Sequence, residues 1–171
     1  PFLTSEDRVS NDFTFNSVPD IAIITGSNMS GKSTFLRTIG VNLCLAFAGG
    51  PVMAKSFRTI PFRLFTSMKI SDSVTDGISY FYAEVRRLKA LLNALDQAEG
   101  LPLFFMIDEI FRGTNNRERL LGSRSYIRSV VAKHGVGLIS THDLELVTLE
   151  EEIAGLRNYH FREDVLDGAM V

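Results

Sequence analysis

Lys32 lies in Gly26-Ser27-Asn28-Met29-Ser30-Gly31-Lys32-Ser33-Thr34, a Gly-x-x-x-x-Gly-Lys-Ser spacing. An apolar run, Ile21-Ala22-Ile23-Ile24, precedes it, and Phe35, Ile39, Leu43 and Phe47 follow at helical spacing. Strand, glycine-bounded loop and helix in that order suit a polyphosphate. Gly26 and Gly31 permit backbone conformations that a side chain obstructs. Successive N–H groups can then curl around a phosphate at the positive end of the helix. Lys32 would place its ammonium near β- and γ-phosphates, and the Ser33 hydroxyl suits a magnesium ligand. The plain alternative is an ordinary strand–turn–helix with a chance spacing.

Two more apolar runs end in groups that could act on the same ligand. Leu103-Phe104-Phe105-Met106-Ile107 reads as a central parallel strand covered on both faces, and it ends in Asp108-Glu109. Asp108 can bind magnesium directly or through water, and Glu109 is then free to orient and deprotonate an attacking water. Adjacent carboxylates at the rim of an apolar strand repel each other, and a metal–polyphosphate site would offset that cost. The alternative is a loop-capping Asp beside an exposed Glu. A third run, Val136 through Ser140, leads into Thr141-His142-Asp143. His142 can hydrogen-bond a γ-phosphate, or it can be an ordinary loop or capping histidine. His134 and His160 lack such a context and read as structural or exposed. The polar loop over residues 71–79 precedes a helix and could present hydroxyls to another phosphate. In one class of ATPases this element completes the site of a facing subunit; alternatively, Ser79 is simply an N-cap.

The elements that must position these groups alternate strand and helix. The pattern predicts an edge strand over residues 9–15, a turn at Val18-Pro19-Asp20 and a helix ended by Gly49-Gly50-Pro51. Short strands are expected within residues 52–70. A helix over 80–95 is expected to bury Phe81, Val85, Leu88, Leu92 and Leu95, with Arg86, Arg87 and Lys89 on its solvated side or, alternatively, in contact with a partner or DNA. A helix over 117–133, a short helix over 144–152 and strand-like runs over 157–162 and 165–171 follow, with Asp167-Gly168 as a tight turn. The class is α/β with a mostly parallel central sheet flanked by helices, its ligand at the carboxyl ends of the strands.

At 171 residues and net charge −2, the chain fits one domain spanning 1–171, without a global pull toward nucleic acid or anionic membrane. Its one cysteine, Cys44, excludes an internal disulfide framework and fits a reducing, cytoplasmic compartment; its helical position predicts a buried thiol. No apolar run approaches membrane-spanning length. Beginning at Pro1 and ending in an apolar stretch, the chain reads as a C-terminal piece of something longer.

Together these motifs resemble the ATPase domain of the MutS mismatch-repair family, of the ABC-type, phosphate-loop class. The loop with its Asn28-Met29, the segment Met106-Ile107-Asp108-Glu109-Ile110-Phe111-Arg112-Gly113-Thr114, Ser140-Thr141-His142 and Ser71-Asp72 through Gly77-Ile78-Ser79-Tyr80-Phe81 carry the resemblance. It implies ATP hydrolysis with Mg2+. Gly26 through Thr34 would hold the phosphates, with Lys32 among them, and Ser33 and Asp108 the metal. Glu109 would activate water, His142 would sense the γ-phosphate, and Asn28 would help position that phosphate or the water. Ser79 would reach across a homodimer to the partner's nucleotide, so that ATP tightens a head-to-head pair. DNA contact would come through clamp and mismatch-reading domains outside this chain. A family member with a task other than repair, or a dimerisation module with little turnover, are the alternatives. Three features depart from the family pattern. Ser27 stands where Pro is usual. Asn115-Asn116-Arg117-Glu118-Arg119 replaces smaller residues near the expected dimer seam. Arg8 or Val9 falls where an aromatic residue often stacks on adenine.

Overall fold

The computed structural model describes residues 9–28, 30–68, 80–97, 100–111, 114–131, 133–162, 165–166 and 169–170. The element order is β1 (Asp20–Gly26), α1 (Lys32–Phe47), β2 (Arg63–Ser67), α2 (Tyr80–Asp96), β3 (Leu103–Ile107), α3 (Asn116–Val131) and β4 (Gly135–Thr141). A 3-10 turn (Leu144–Thr148) then leads into α4 (Leu149–Glu152), β5 (Leu156–Phe161) and a hairpin of β6 (Val165–Leu166) and β7 (Ala169–Met170). The expected turn at Asp167-Gly168 lies outside the described residues.

Five strands form one parallel sheet in the order β2-β3-β4-β1-β5. β1, β3 and β4 are buried along their whole length. Their alternate residues feed two separate apolar layers, as the two-residue period of a strand requires. Ile21, Ile23, Phe105, Ile107 and Ile139 join Leu88, Leu91 and Leu95 of α2 and Ile127 and Val130 of α3. Ala22, Ile24, Phe104, Met106, Val136 and Leu138 join Leu36 and Leu43 of α1. The continuous apolar runs are therefore strands covered on both faces. Tyr126 of α3 lies in the first layer and donates its hydroxyl to the Leu88 carbonyl at 2.9 Å. Burial pushes its phenol well above the usual range.

Four local expectations are corrected. Residues 9–15 form no strand. Phe13 and Phe15 instead pack edge-on against each other at 4.8 Å, and Phe13 also meets Phe35 at 5.6 Å and Tyr159 at 5.0 Å. Their alternation is satisfied by ring packing on the α1 layer rather than by a ladder. Within 52–62 no strand forms either; only Arg63–Ser67, after Pro61, pairs with β3.

The buried stripe of α2 runs through Glu84, Leu88, Leu91 and Leu95, while Phe81 and Val85 remain more than a third exposed. Two overlapping stripes of helical period exist in this segment, and only contact with the sheet and α3 selects one. Cys44 is exposed. The buried face of α1 centres on Leu36, Gly40 and Leu43, and one residue further round the helix points outward. Among the described residues, no helix is long and apolar enough to cross a membrane.

Candidate active site

The carboxyl ends of β1, β4 and β3, three neighbouring strands, meet the amino end of α1. A cavity of about 220 Å³ opens there, lined by Asn28, Gly31, Lys32, Ser33, Thr34, Asp108, Glu109, Ser140 and His142. Gly31 caps α1 with φ +88°, in the region that favours glycine, and no side chain caps this helix end. The first-turn residues Lys32, Ser33 and Thr34 thus line the cavity, an arrangement suited to an anion. Gly26 has φ +148°; a Cβ there would lie 2.7 Å from Ser30 Oγ and 2.8 Å from the Phe161 carbonyl, so glycine is required sterically as well.

Lys32 is almost completely buried. Its ammonium donates to the Gly26 carbonyl at 2.8 Å and to the Ser27 carbonyl. Ser30 Oγ also donates to the Ser27 carbonyl, at 3.0 Å, which tightens the loop.

Asp108, 7% exposed, accepts from two hydroxyls on its Oδ1: Ser33 Oγ at 2.8 Å and Ser140 Oγ at 2.9 Å. These hydrogen bonds offset part of the cost of burying a carboxylate. The Glu109 N–H donates to Ser140 Oγ at 2.8 Å. Glu109 has φ +64° and Phe111 φ +56°, left-handed conformations that side chains rarely adopt and that turn the chain sharply off β3. The Phe111 ring packs edge-on against Tyr126 at 6.2 Å, and Gly122 leaves room for it.

His142 is tied to β1. A carbonyl only accepts, so the 3.0 Å contact with the Gly26 carbonyl places a proton on Nδ1. Nε2 then points toward Glu109 Oε1, 3.4 Å away. With Nδ1 committed, Nε2 donates only as an imidazolium. His160, expected to be structural or exposed, is exposed, with Nδ1 2.9 Å from Thr25 Oγ1.

Lys32, Ser33, Asp108, Glu109, His142, Asn28, Gly31 and Thr34 are thus brought to one cavity, and Gly26, Ser27 and Ser30 build its loop. Met29 and Ser79 lie outside the described residues, as does the whole 71–79 loop. Three participants were not singled out from sequence. Ser140 was visible only as part of a motif; a hydroxyl within an apolar strand beside the Asp108 strand was the available signal. Arg119 and Asp143 form a two-pronged ion pair, Nε to Oδ2 and Nη2 to Oδ1, both at 2.8 Å. The bond to Asp143 holds the guanidinium above its ordinary pKa against partial burial, and the negative charge of Glu109 adds to this.

An oxygen-binding cation fits the donor set. Ser33 Oγ and Asp108 Oδ1 already converge at the cavity, yet among the described residues no cluster of three or more His, Cys, Asp or Glu forms a protein cage. Magnesium is commonly held in this way, by one or two side chains, with phosphate and water completing its shell.

The family model described as MutS domain V matches residues 22–171. The DNA mismatch repair protein MutS of Aquifex pyrophilus is 33% identical, over 93% of this chain and 19% of that protein. The DNA mismatch repair protein MutS of Chlorobium chlorochromatii is 36% identical, over 91% of this chain and 18% of its own length. The DNA mismatch repair protein MutS 2 of Halobacterium salinarum is 35% identical, over 92% and 18%. The chain spans about a fifth of the length of these relatives. By the extent of the model match, the chain belongs to the MutS domain V family.

Proposed function

We propose that this chain is a phosphate-loop, ABC-type ATPase domain that binds and hydrolyses ATP with Mg2+. The observation that carries this reading is the Ser33–Asp108 hydrogen bond at 2.8 Å, at a cavity that Lys32, Glu109 and His142 also line. It joins the glycine loop to the acidic strand end, residues 75 positions apart. The loop amides and Lys32 bind the β- and γ-phosphates, and Asn28 orients the terminal one. Ser33 and Asp108 would hold magnesium, which when bound neutralises charge on the phosphate oxygens. Glu109 orients water and accepts its proton as the water oxygen bonds the γ-phosphorus; the bond to the β–γ bridging oxygen breaks in line, so ADP leaves and inorganic phosphate is formed. His142, as the imidazolium, donates to the γ-phosphate from Nε2 while Nδ1 stays on Gly26.

Nucleotide-dependent pairing of two copies, with Ser79 completing the partner's site, is part of the proposal. So is service in a DNA-handling protein, since the relatives are named for DNA mismatch repair. Glu109→Gln should retain Mg–ATP binding, lose nearly all turnover and accumulate as a dimer in sedimentation with ATP. Wild-type turnover in that variant would remove the general base. A monomer under saturating triphosphate would remove the composite site. Wild-type protein that binds ATP but turns over no faster than Glu109→Gln would instead favour a dimerisation module.

A further inference from the structure

Arg119 lies in the first turn of α3, and Asp143 is the residue after His142. Their fork has two parallel contacts of 2.8 Å, with side chains only 24% and 16% exposed. That differs from an exposed ion pair, which contributes little. The paired geometry fixes orientation as well as distance. Asp143 also occupies the cap position of the 3-10 turn, where an Asp side chain ordinarily bonds the turn's own N–H groups. Here no side-chain cap forms, and both carboxylate oxygens face the guanidinium. The Asp143 N–H donates to Thr141 Oγ1 at 3.1 Å, closing the turn around His142. His142 is therefore held from two sides: its Nδ1 on the Gly26 carbonyl of β1, and its backbone through Asp143 on α3. The same stretch of α3 is anchored in its turn, because Asn115 Oδ1 accepts from the Glu118 N–H at 3.0 Å and Thr114 Oγ1 donates to Glu118 at 2.6 Å.

We infer that Arg119, through its fork onto Asp143, is a positioning residue that fixes His142 for recognition of the γ-phosphate. The inference rests on the proposed nucleotide site and adds to it a link from the start of α3 to the switch histidine. Arg119 is not among the residues that line the cavity. It acts on the triphosphate state alone, because ADP lacks the group that His142 contacts. Bulky, charged residues at 115–119 thus have a task at the site.

The test compares Mg–ADP with a non-hydrolysable ATP analogue, by equilibrium titration of the whole chain. Wild type, Arg119→Ala, Arg119→Lys, His142→Ala and the Arg119→Ala/His142→Ala double variant are each titrated. Arg119→Ala should leave ADP affinity unchanged and weaken analogue binding by about tenfold, a coupling of ordinary size. Arg119→Lys, which keeps the charge without the fork and perturbs the fold least, should lose preference for the analogue in the same direction. In the His142→Ala background, Arg119→Ala should cost nothing further. A preserved analogue-to-ADP ratio in both Arg119 variants, equal weakening of both nucleotides, or additive losses in the double variant would overturn the inference while leaving the nucleotide site standing. Wild-type protein that binds neither nucleotide would overturn the site itself, and the inference with it.

Discussion

Ser140 shows how closely the site depends on single atoms. Its hydroxyl donates to Asp108 and accepts from the Glu109 N–H, and it is completely buried. Ser140→Ala removes both contacts at once and leaves the part-buried Glu109 N–H without this acceptor. The expected loss is about 1–3 kcal/mol of stability in urea denaturation, with reduced turnover. A variant as stable as wild type would show that water replaces the hydroxyl. Lys32 and Ser33 were legible from the Gly-x-x-x-x-Gly-Lys-Ser spacing, and Asp108, Glu109 and His142 because they stand at the ends of apolar runs, where a polar group stands out. The bond from Ser140 to Asp108 was not, since it exists only because β3 and β4 are neighbours.

At the scale of elements, α3 carries its own start signal. Asn115 caps the Glu118 N–H, and the Glu118 carboxylate accepts from Thr114. Asn115→Ala should cost about 1 kcal/mol in denaturant unfolding. Thr114, then Asn115, hold the Glu118 carboxyl below its ordinary value. A depressed folded-state pKa adds stability that is present above the unfolded pKa and lost as pH falls through the folded one. The stability difference between wild type and Glu118→Gln should therefore be seen at neutral pH and vanish once the carboxylate is protonated in acid. A difference independent of pH would assign the effect to something other than the charge.

The buried central strands and the helices between them were legible from apolar period, and their parallel order from the alternation. The face of α2 was legible only in part. Of the expected Phe81, Val85, Leu88, Leu92 and Leu95, tertiary contact buries Leu88 and Leu95 and packs Leu92 against the core, while Glu84 and Leu91 rather than Phe81 and Val85 complete the buried stripe. Likewise Phe13 and Phe15 alternate as a strand would, yet their rings find a better partner in the aromatic layer.

For the molecule as a whole, two apolar layers clamp the sheet. Two glycines mark close contacts of different kinds. A Cβ on Gly137 would lie 2.1 Å from the fully buried Phe105 ring, whereas one on Gly40 would meet the flexible end of Met106, its methyl at 2.6 Å and its sulfur at 3.3 Å. Gly137→Ala must displace a ring held by the core and should cost about 1–3 kcal/mol. Gly40→Ala needs only a swing of a flexible side chain, and alanine is about 1 kcal/mol better inside a helix. It should be near neutral in thermal unfolding; equal losses in the two variants would mean that the α1 layer is as rigid as the α3 layer.

The strands held between these layers bring the glycine loop, the acid pair and the histidine to their carboxyl ends, and the proposed activity depends on that convergence. A crystal structure of the chain with Mg2+ and a non-hydrolysable ATP analogue tests it most directly. The expected result is a triphosphate along the amides of residues 26–34, with Lys32 on its terminal phosphates and the metal on Ser33 and Asp108. A nucleotide bound elsewhere on the surface, or a triphosphate that leaves Lys32 and Asp108 untouched, would contradict it.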